Sequence, residues 1–465
     1  LLQRVLTQLI SFCVSVVLAR MLAPEDFGVV ALSGMLIILI GSFIDTGIGT
    51  ALIQKKDADE LDYNTVFYTN IVLSSTVYVI IFLIAPLLAA LFKSPEITSV
   101  IRVMSLGMPI GALSGVHSSM ISKNLAFKKF FFSTLSGSLL SAVVGLSMVL
   151  QGCGVWALVG QNLVSTIANT IVLLLIVRWR PKRMFSKERF KSLFSYGWKL
   201  TASNLMGTFF AQMKGYAIGL RYTTADLAYY NRGEGVPGIL YNNISSSINT
   251  VLFPALSKLQ DDKIAIRRAL SKTMQTASFV LMPGLLGLAA VSDNFVQIVY
   301  TSKWIAVVPF MQVICLMNCF DLLGAANIQA LKAVGRADTL LKLEVYKKPL
   351  MVSILVICMF ISPLAIAIGQ FFYSLIALVI NAYPNRKYID YPLKKQFLDI
   401  SKSFYSAVLM AFIVYFIGKL SFNIYLLLIF QILVGVAVYV LLSMKFNKVV
   451  FQEVLALVKH RVLKK

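Results

Sequence analysis

Fourteen apolar stretches, each close to the length at which an α-helix crosses a bilayer, dominate the sequence. Such a span needs about 20 mainly apolar residues, since a helix rises about 1.5 Å per residue through roughly 30 Å of hydrocarbon. The first six runs cover roughly 1–19, 27–53, 64–92, 97–121, 130–150 and 154–177. The next six cover roughly 194–219, 227–254, 270–291, 304–331, 340–360 and 363–382, and the last two 401–419 and 422–444. The bilayer core offers no water to backbone N–H and C=O groups, so these runs are expected to be helices. The ten-residue alternating strands of a membrane β-barrel are absent from the sequence. The fold class that follows is all-α and polytopic, with 14 transmembrane helices. The eighth run is the most polar. In the tail 448–463, Val449, Val450, Phe451, Val454, Leu457 and Val458 recur at helical spacing, which predicts a short amphipathic helix lying on the membrane.

Composition bears on what else is excluded. Hydrophobic side chains make up 58% of the 465 residues and charged ones 14%, against about 25% charged in an ordinary soluble domain. Mean hydropathy is +0.80. A chain this apolar cannot cover itself with polar surface in water. That excludes a soluble enzyme, a disordered protein and a secreted disulfide scaffold. Basic residues number 43 and acidic ones 20, a net charge of +23, which in a soluble protein would point to nucleic acid. Here most bases lie in short loops, and Lys and Arg mark the cytoplasmic side. The loops 54–63, 122–129, 178–193, 255–272, 332–348 and 383–399, with the tail from 445, hold 32 of them. The opposite loops hold five: Arg20, Lys93, Arg221, Lys303 and Lys419. This asymmetry puts both termini in the cytoplasm and leaves no charge that requires a nucleic-acid partner.

The longest polar stretch, from Arg178 to Lys191, divides the chain after six helices. The expected organisation is an N-terminal six-helix lobe (1–177), a cytoplasmic linker (178–193) and a C-terminal six-helix lobe (194–382). Two additional helices (383–444) and a basic amphipathic cytoplasmic tail (445–465) follow. An internal repeat supports the two halves. Asp26-Phe27-Gly28 and Asp226-Leu227-Ala228 are 200 residues apart, as are Ile48-Gly49-Thr50-Ala51-Leu52 and Ile248-Asn249-Thr250-Val251-Leu252. A weaker match pairs Ser122-Lys123-Asn124 with Leu331-Lys332-Ala333 at an offset of 209. An even number of helices separates the equivalents, so the repeats are parallel, and such repeats usually hold a substrate site between them. The chain begins at Leu1 inside an apolar run long enough to span, which implies a trimmed start and no cleaved signal peptide.

Charges within the spans are costly and are therefore candidates for function. They are Asp45, Arg102, Lys199, Lys214, Arg232, Glu234 and Asp321. Lys199 and Arg102 lie near helix ends, where a long side chain can snorkel to the interface. The seventh and eighth helices are expected to form a hairpin around residues 220–226. Counting from that turn, Lys214 and Arg232 sit at similar depth, with Glu234 about 3 Å deeper. One reading is a Lys214–Glu234 bridge that staples the hairpin. The other is the cationic wall of a watery cavity, with Asn204, Gln212, Asn231, Asn242 and Asn243 supplying amides. That wall suits a ligand with phosphate or carboxylate and many hydroxyls. Asp45 and Asp321 are either proton carriers or carboxylates bonded to neighbouring hydroxyls. His117 reads as a bonded structural histidine. Gly233, Gly235, Pro237 and Gly238 predict a bend in the eighth helix.

The five cysteines imply neither disulfides nor a metal site and read as buried, inert thiols. No Walker sequence is present for an ATP motor, and no HExxH or GxSxG for hydrolysis. No outer loop exceeds about a dozen residues in the sequence, too few for a polymerase or ligase with an external catalytic domain.

The segment Leu18-Ala19-Arg20-Met21-Leu22-Ala23-Pro24-Glu25-Asp26-Phe27-Gly28-Val29-Val30-Ala31-Leu32, followed by Phe43-Ile44-Asp45-Thr46-Gly47-Ile48-Gly49-Thr50-Ala51-Leu52-Ile53-Gln54, carries a resemblance. It is similar to the start of Wzx-type bacterial polysaccharide flippases, especially colanic-acid and teichuronic-acid exporters. These belong to the multidrug/oligosaccharidyl-lipid/polysaccharide exporter superfamily. The resemblance implies a non-enzymatic transporter of two lobes around a central cavity in the bacterial cytoplasmic (inner) membrane. Its cargo would be an undecaprenyl-pyrophosphate-linked oligosaccharide, moved from inner to outer leaflet by alternating access for extracellular polysaccharide synthesis. The family acts as a monomer, among membrane lipids, with a polysaccharide polymerase as a candidate partner. Its cavity is lined by the first, second, seventh and eighth helices, which carries over to Gln8, Asp45, Lys214, Arg232 and Glu234. No bound cofactor is implied. Coupling to H+ or Na+ through Asp45 or Glu234 stays open. The alternatives are a cation-coupled multidrug exporter of the same superfamily and a membrane polysaccharide polymerase or ligase. The embedded bases disfavour the first, and the short outer loops disfavour the second.

Overall fold

The computed structural model describes residues 2–43, 47–260 and 262–462, and among these no β-strand occurs. Cα packing groups the chain into two compact units, Leu1–Ala228 and Tyr229–Lys465. The first unit holds α1 (Leu2–Met21), α2 (Pro24–Gly41), α3 (Ile48–Gln54), α4 (Glu60–Leu91), α5 (Glu96–Met104), α6 (Gly107–Lys123), α7 (Lys128–Leu150), α8 (Val155–Ile176) and α9 (Lys187–Arg221). The helix α10 (Thr224–Ser257) starts in this unit and continues into the second. The second unit then holds α11 (Lys263–Val299), α12 (Val307–Ala333), α13 (Ala337–Cys358), α14 (Pro363–Ile389), α15 (Leu393–Ile417), α16 (Ile424–Phe446) and α17 (Lys448–Val462).

Every apolar run of the sequence lies on a helix, but two runs are broken. The run 27–53, expected as one helix, is α2 followed by α3. Gly47 ahead of α3 has φ +58, and a Cβ there would stand 2.6 Å from the Gly197 carbonyl oxygen. Only glycine takes both the left-handed backbone and the close approach at little cost. The run 97–121 is α5 followed by α6. Pro109 has no N–H to bond the carbonyl one turn back, so the ladder lapses at Ser105 and Leu106. By contrast α10 runs unbroken through Gly233 and Pro237.

Among the described residues, ten helices or helix pairs are long and apolar enough to cross a membrane. Leu83 and Leu87 on α4 are 69% and 70% exposed, and Leu433 on α16 64%. Side chains of that kind, exposed at this density, need lipid as their solvent. The chain is a multi-pass membrane protein. In the second unit α12 is central: 61% of its apolar window is buried, against 22–44% for the other nine spans. Cys315 and Cys319 are buried on it, whereas Cys13 on α1 is exposed rather than buried.

The repeat has a structural counterpart. Asp26 Oδ2 accepts the Ala23 N–H at 3.1 Å, and Asp226 Oδ2 accepts the Thr223 N–H at the same 3.1 Å. Each carboxylate closes the first turn of the second helix of its hairpin. The turn between α9 and α10 falls at 222–223, within the region expected for it.

Polar clasps tie helix ends together on the basic-loop side. In the first unit the buried Asp62 takes Lys55 Nζ at 2.5 Å and faces Arg189 at 3.7 Å. Asp59 caps α4 by accepting the Asp62 N–H at 2.9 Å. That backbone bond, helped by Arg189 and Lys55, holds Asp59 below the usual aspartate pKa. His117 Nε2 lies 3.3 Å from the Trp179 carbonyl, which pins the linker to α6. In the second unit Asp399 accepts hydrogen bonds from Ser271 and Tyr391, both at 2.5 Å. Beside them three fully buried amides interlock. Asn385 Nδ2 donates to Asn327 Oδ1 at 2.6 Å, Gln396 Nε2 to the same oxygen at 3.0 Å, and Asn327 Nδ2 to Gln396 Oε1 at 2.8 Å.

Candidate functional site

A groove of mixed lining opens between α2 and α9. Near the turn end the two helices are in tight contact. Gly219 lies against Leu32, Gly215 against Met35, and the Tyr216 hydroxyl donates to the Met35 carbonyl at 2.9 Å. Farther along, α9 carries Ser203, Gly207, Thr208 and Ala211, small residues at helical spacing. Opposite them α2 ends in Ile38, Gly41 and Ser42. Small side chains on both walls leave a cavity of about 610 Å³, lined also by Asn204. Its chemistry is neutral and mixed: three hydroxyls and one carboxamide stand among Ile38, Gly41, Gly207 and Ala211. Such a surface can exchange hydrogen bonds with a hydroxyl-rich ligand without fixing its charge. Lys214 is two turns past Gly207, and Gln212 one turn past Thr208, so both extend faces that line the groove.

The second unit, taken by itself, holds Arg232 among aromatic rings. Arg232 on α10 lies 5.5 Å from the ring centroids of both Tyr300 and Trp304. Tyr229 meets Trp304 edge-on at 6.0 Å. Gly233 is in backbone contact with Phe310 of α12, which fixes this turn of α10. A guanidinium held over aromatic faces keeps its charge but has its plane set.

The remaining candidates are dispersed. Gln8 on α1, Asn231 and Glu234 on α10 are half-buried, and Asn242 is exposed. Asn243 donates to the Ile239 carbonyl at 2.9 Å within its own helix. Arg102 is engaged on α4: its Nε donates to the Phe82 carbonyl at 3.0 Å, and its guanidinium lies 4.1 Å from the Phe82 ring centroid. Ser374 of α14 donates to Asp321. Asp45 lies outside the described residues. Sequence reasoning missed Tyr300 and Trp304 as partners of Arg232. Their position at the non-basic end of α11, where interfacial aromatics gather, was the available signal. It also missed the small-residue face of α9.

The family described as "Polysaccharide biosynthesis protein" matches residues 17–309. Among curated relatives, "Lipopolysaccharide biosynthesis protein WzxC" of Escherichia coli (strain K12) is 26% identical over 73% of this chain and 70% of its own length. "Succinoglycan biosynthesis transport protein ExoT" of Rhizobium meliloti (strain 1021) is 25% identical over 70% and 66%. "Teichuronic acid biosynthesis protein TuaB" of Bacillus subtilis (strain 168) is 27% identical over 63% and 62%. The matches thus span about two thirds of the relatives' length. Among solved structures, "Lipid II flippase MurJ, inward closed conformation" aligns with a TM-score of 0.76 at 15% identity, covering 97% of this chain and 99% of that one. An inward-facing "multidrug resistance MATE family transporter of the MOP superfamily" aligns with a TM-score of 0.63 at 15% identity, covering 83% and 94%. At these identities the two structures establish a shared fold alone. The family match extends over more than half of the residues, and the chain belongs to the polysaccharide biosynthesis protein family.

Proposed function

We propose that this protein is a flippase for lipid-linked oligosaccharides. The cargo is an undecaprenyl-pyrophosphate-linked repeat unit, carried from the inner to the outer leaflet of the bacterial cytoplasmic membrane. The observation that carries this reading is the α2–α9 groove. A family of polysaccharide biosynthesis is matched here with an uncharged cavity that presents three hydroxyls and an amide among small and apolar residues. That lining suits sugars, and the relatives' printed names point to polysaccharide synthesis and transport.

The proposed topology has 14 spans in two six-helix lobes related by the repeat, two further helices, and both termini in the cytoplasm. Four helices or pairs beyond the ten apolar ones complete that count. The polarity of α9 and α10 is what a cavity-lining helix carries. In the proposed cycle the saccharide enters between the lobes while its prenyl tail stays in lipid. Lys214 and Arg232 neutralise the pyrophosphate, and Asn204, Gln212, Asn231 and Asn242 bind hydroxyls, with Gln8 on α1 at the rim. Rocking of the lobes then exposes the sugar outside. Asp45 or Glu234 couples the cycle to a proton or sodium gradient.

The test is leaflet translocation of undecaprenyl-pyrophosphate oligosaccharide in proteoliposomes, for wild type, Lys214→Ala and Asn204→Leu, with and without a proton gradient. Translocation that collapses in folded variants supports the reading. Efflux of small organic cations with no movement of any prenyl-linked sugar would replace it with a multidrug exporter.

A further inference from the structure

A second cavity of the first unit lies between α4 and the start of α9. Its volume is about 410 Å³, and its walls include Tyr68, Val72, Thr76, Phe185, Phe190 and Phe194. Phe190 and Phe194 stack with centroids 5.5 Å apart, so one wall is a flat aromatic face. The linker is fixed to α4 beside it. The Lys182 N–H donates to Asn64 Oδ1 at 2.6 Å, and the Ser186 N–H to Thr65 Oγ1 at 3.2 Å. From Tyr68 to Thr76 the groove then follows α4 for about 12 Å toward the bilayer centre. It opens to lipid, with Val72 65% and Phe185 56% exposed.

The charge around its mouth is uneven. Lys182 and Arg189 are paired with Glu60 and Asp59. Among the described residues, Arg183, Lys187 and Lys191 are exposed and make no ion pair. Lys187, Phe190, Lys191 and Phe194 occur at i, i+3, i+4 and i+7, which puts two free ammonium groups and the aromatic wall on one helix face.

The geometry points to a docking site for a single-tailed prenyl diphosphate lipid, its tail in the groove and its diphosphate on Lys187, Lys191 and Arg183. One narrow groove takes one chain, whereas a membrane phospholipid brings two. Three unpaired cations match two phosphates better than a single phosphodiester. This site rests on the flippase reading and adds to it a loading point on the basic-loop side, apart from the α2–α9 groove.

The full-length protein in phosphatidylcholine nanodiscs is irradiated with sugar-free undecaprenyl diphosphate carrying a diazirine on its tail, and the adducts are mapped. Adducts are expected within 68–76 and 185–194. Val72→Trp fills the groove at a lipid-facing position and lowers that labelling about tenfold. Lys187→Gln raises the half-saturating probe concentration about tenfold, the size of one lost charge-assisted contact. Adducts confined to other helices overturn the site. Equal displacement by excess phosphatidylglycerol overturns it too, by making it a general anionic-lipid site. Groove labelling without sugar translocation would remove the flippase reading and leave the site. Translocation with no groove labelling would do the reverse.

Discussion

A Cβ on Gly28 would stand 1.8 Å from the carbonyl oxygen of Thr224. The backbones of α2 and the first turn of α10 are therefore in direct contact, where only a hydrogen on Cα fits. Both residues belong to hairpins related by the 200-residue offset. Gly28→Ala should force the two apart and cost about 2 kcal/mol, in the range for overpacked sites. Gly34, also on α2, has no heavy atom within 4 Å of its would-be Cβ, so Gly34→Ala should gain a few tenths to about 1 kcal/mol from helix propensity. Thermal unfolding of the purified protein in detergent measures both, and a Gly28→Ala protein as stable as Gly34→Ala would contradict the contact.

Arg232 separates charge from plane. Arg232→Lys keeps the cation but lies poorly over Tyr300 and Trp304, at an expected cost of about 1 kcal/mol. Arg232→Ala removes both. Translocation should fall in the order wild type, Lys, Ala, and the emission of the buried Trp304 should shift in both variants. Full activity in the Lys variant with an unchanged spectrum would leave charge as the only role.

The Asn327 carboxamide serves Asn385 and Gln396 together. Asn327→Leu takes one bond from each of their donors, which keep the Asn327 and Tyr391 backbone carbonyls, and leaves Gln396 Oε1 without its donor, at about 1–3 kcal/mol for an unmet buried group. A loss of roughly 3 kcal/mol is expected on that basis. Replacing all three amides with Leu should recover part of that loss, because fewer buried polar groups are then left unmet, the Tyr391 carbonyl being the one that loses its donor. A triple variant weaker than the single one would argue against this account.

Asp59 makes the first clasp sensitive to acid. Its folded-state pKa lies below the ordinary value, so its contribution is complete above about pH 4 and is lost as pH falls through the lower, folded value. Asp59→Asn should flatten that segment of the pH–stability curve. Hydrogen exchange of the α4 amides between pH 5 and pH 3 reads the effect locally, and an identical pH profile in the Asn protein would exclude it.

Much of the architecture was legible because the bilayer imposes one length and one backbone solution on every span. The repeat at Asp26 and Asp226 was legible, but the apolar runs begin at 27 and 227 while the helices start at Pro24 and Thr224, because the polar capping turn lies outside the apolar stretch. The breaks at Gly47 and Ser105 were not legible, since an apolar run does not record where its ladder lapses. Lys214, Arg232 and Glu234 stood out because charge in lipid is rare. The surroundings of Arg232 did not, because Tyr300 and Trp304 come about 70 residues later in the sequence. The clasp of Asp62 with Arg189 is longer-range still. The neutral groove left almost no signal: Ser203, Gly207, Thr208 and Ala211 are unremarkable until α2 is laid against them.

The buried joint of Asn327, Asn385 and Gln396 carries no formal charge. An elementary charge displaced across 100 mV changes the energy by about 2.3 kcal/mol, whereas an amide pair has no charge to displace. This joint therefore has the same strength in an energised membrane and in a collapsed one. The fastening of α12, α14 and α15 at this joint is thus expected to be nearly insensitive to voltage, whereas groups that bear charge respond to the membrane potential most strongly.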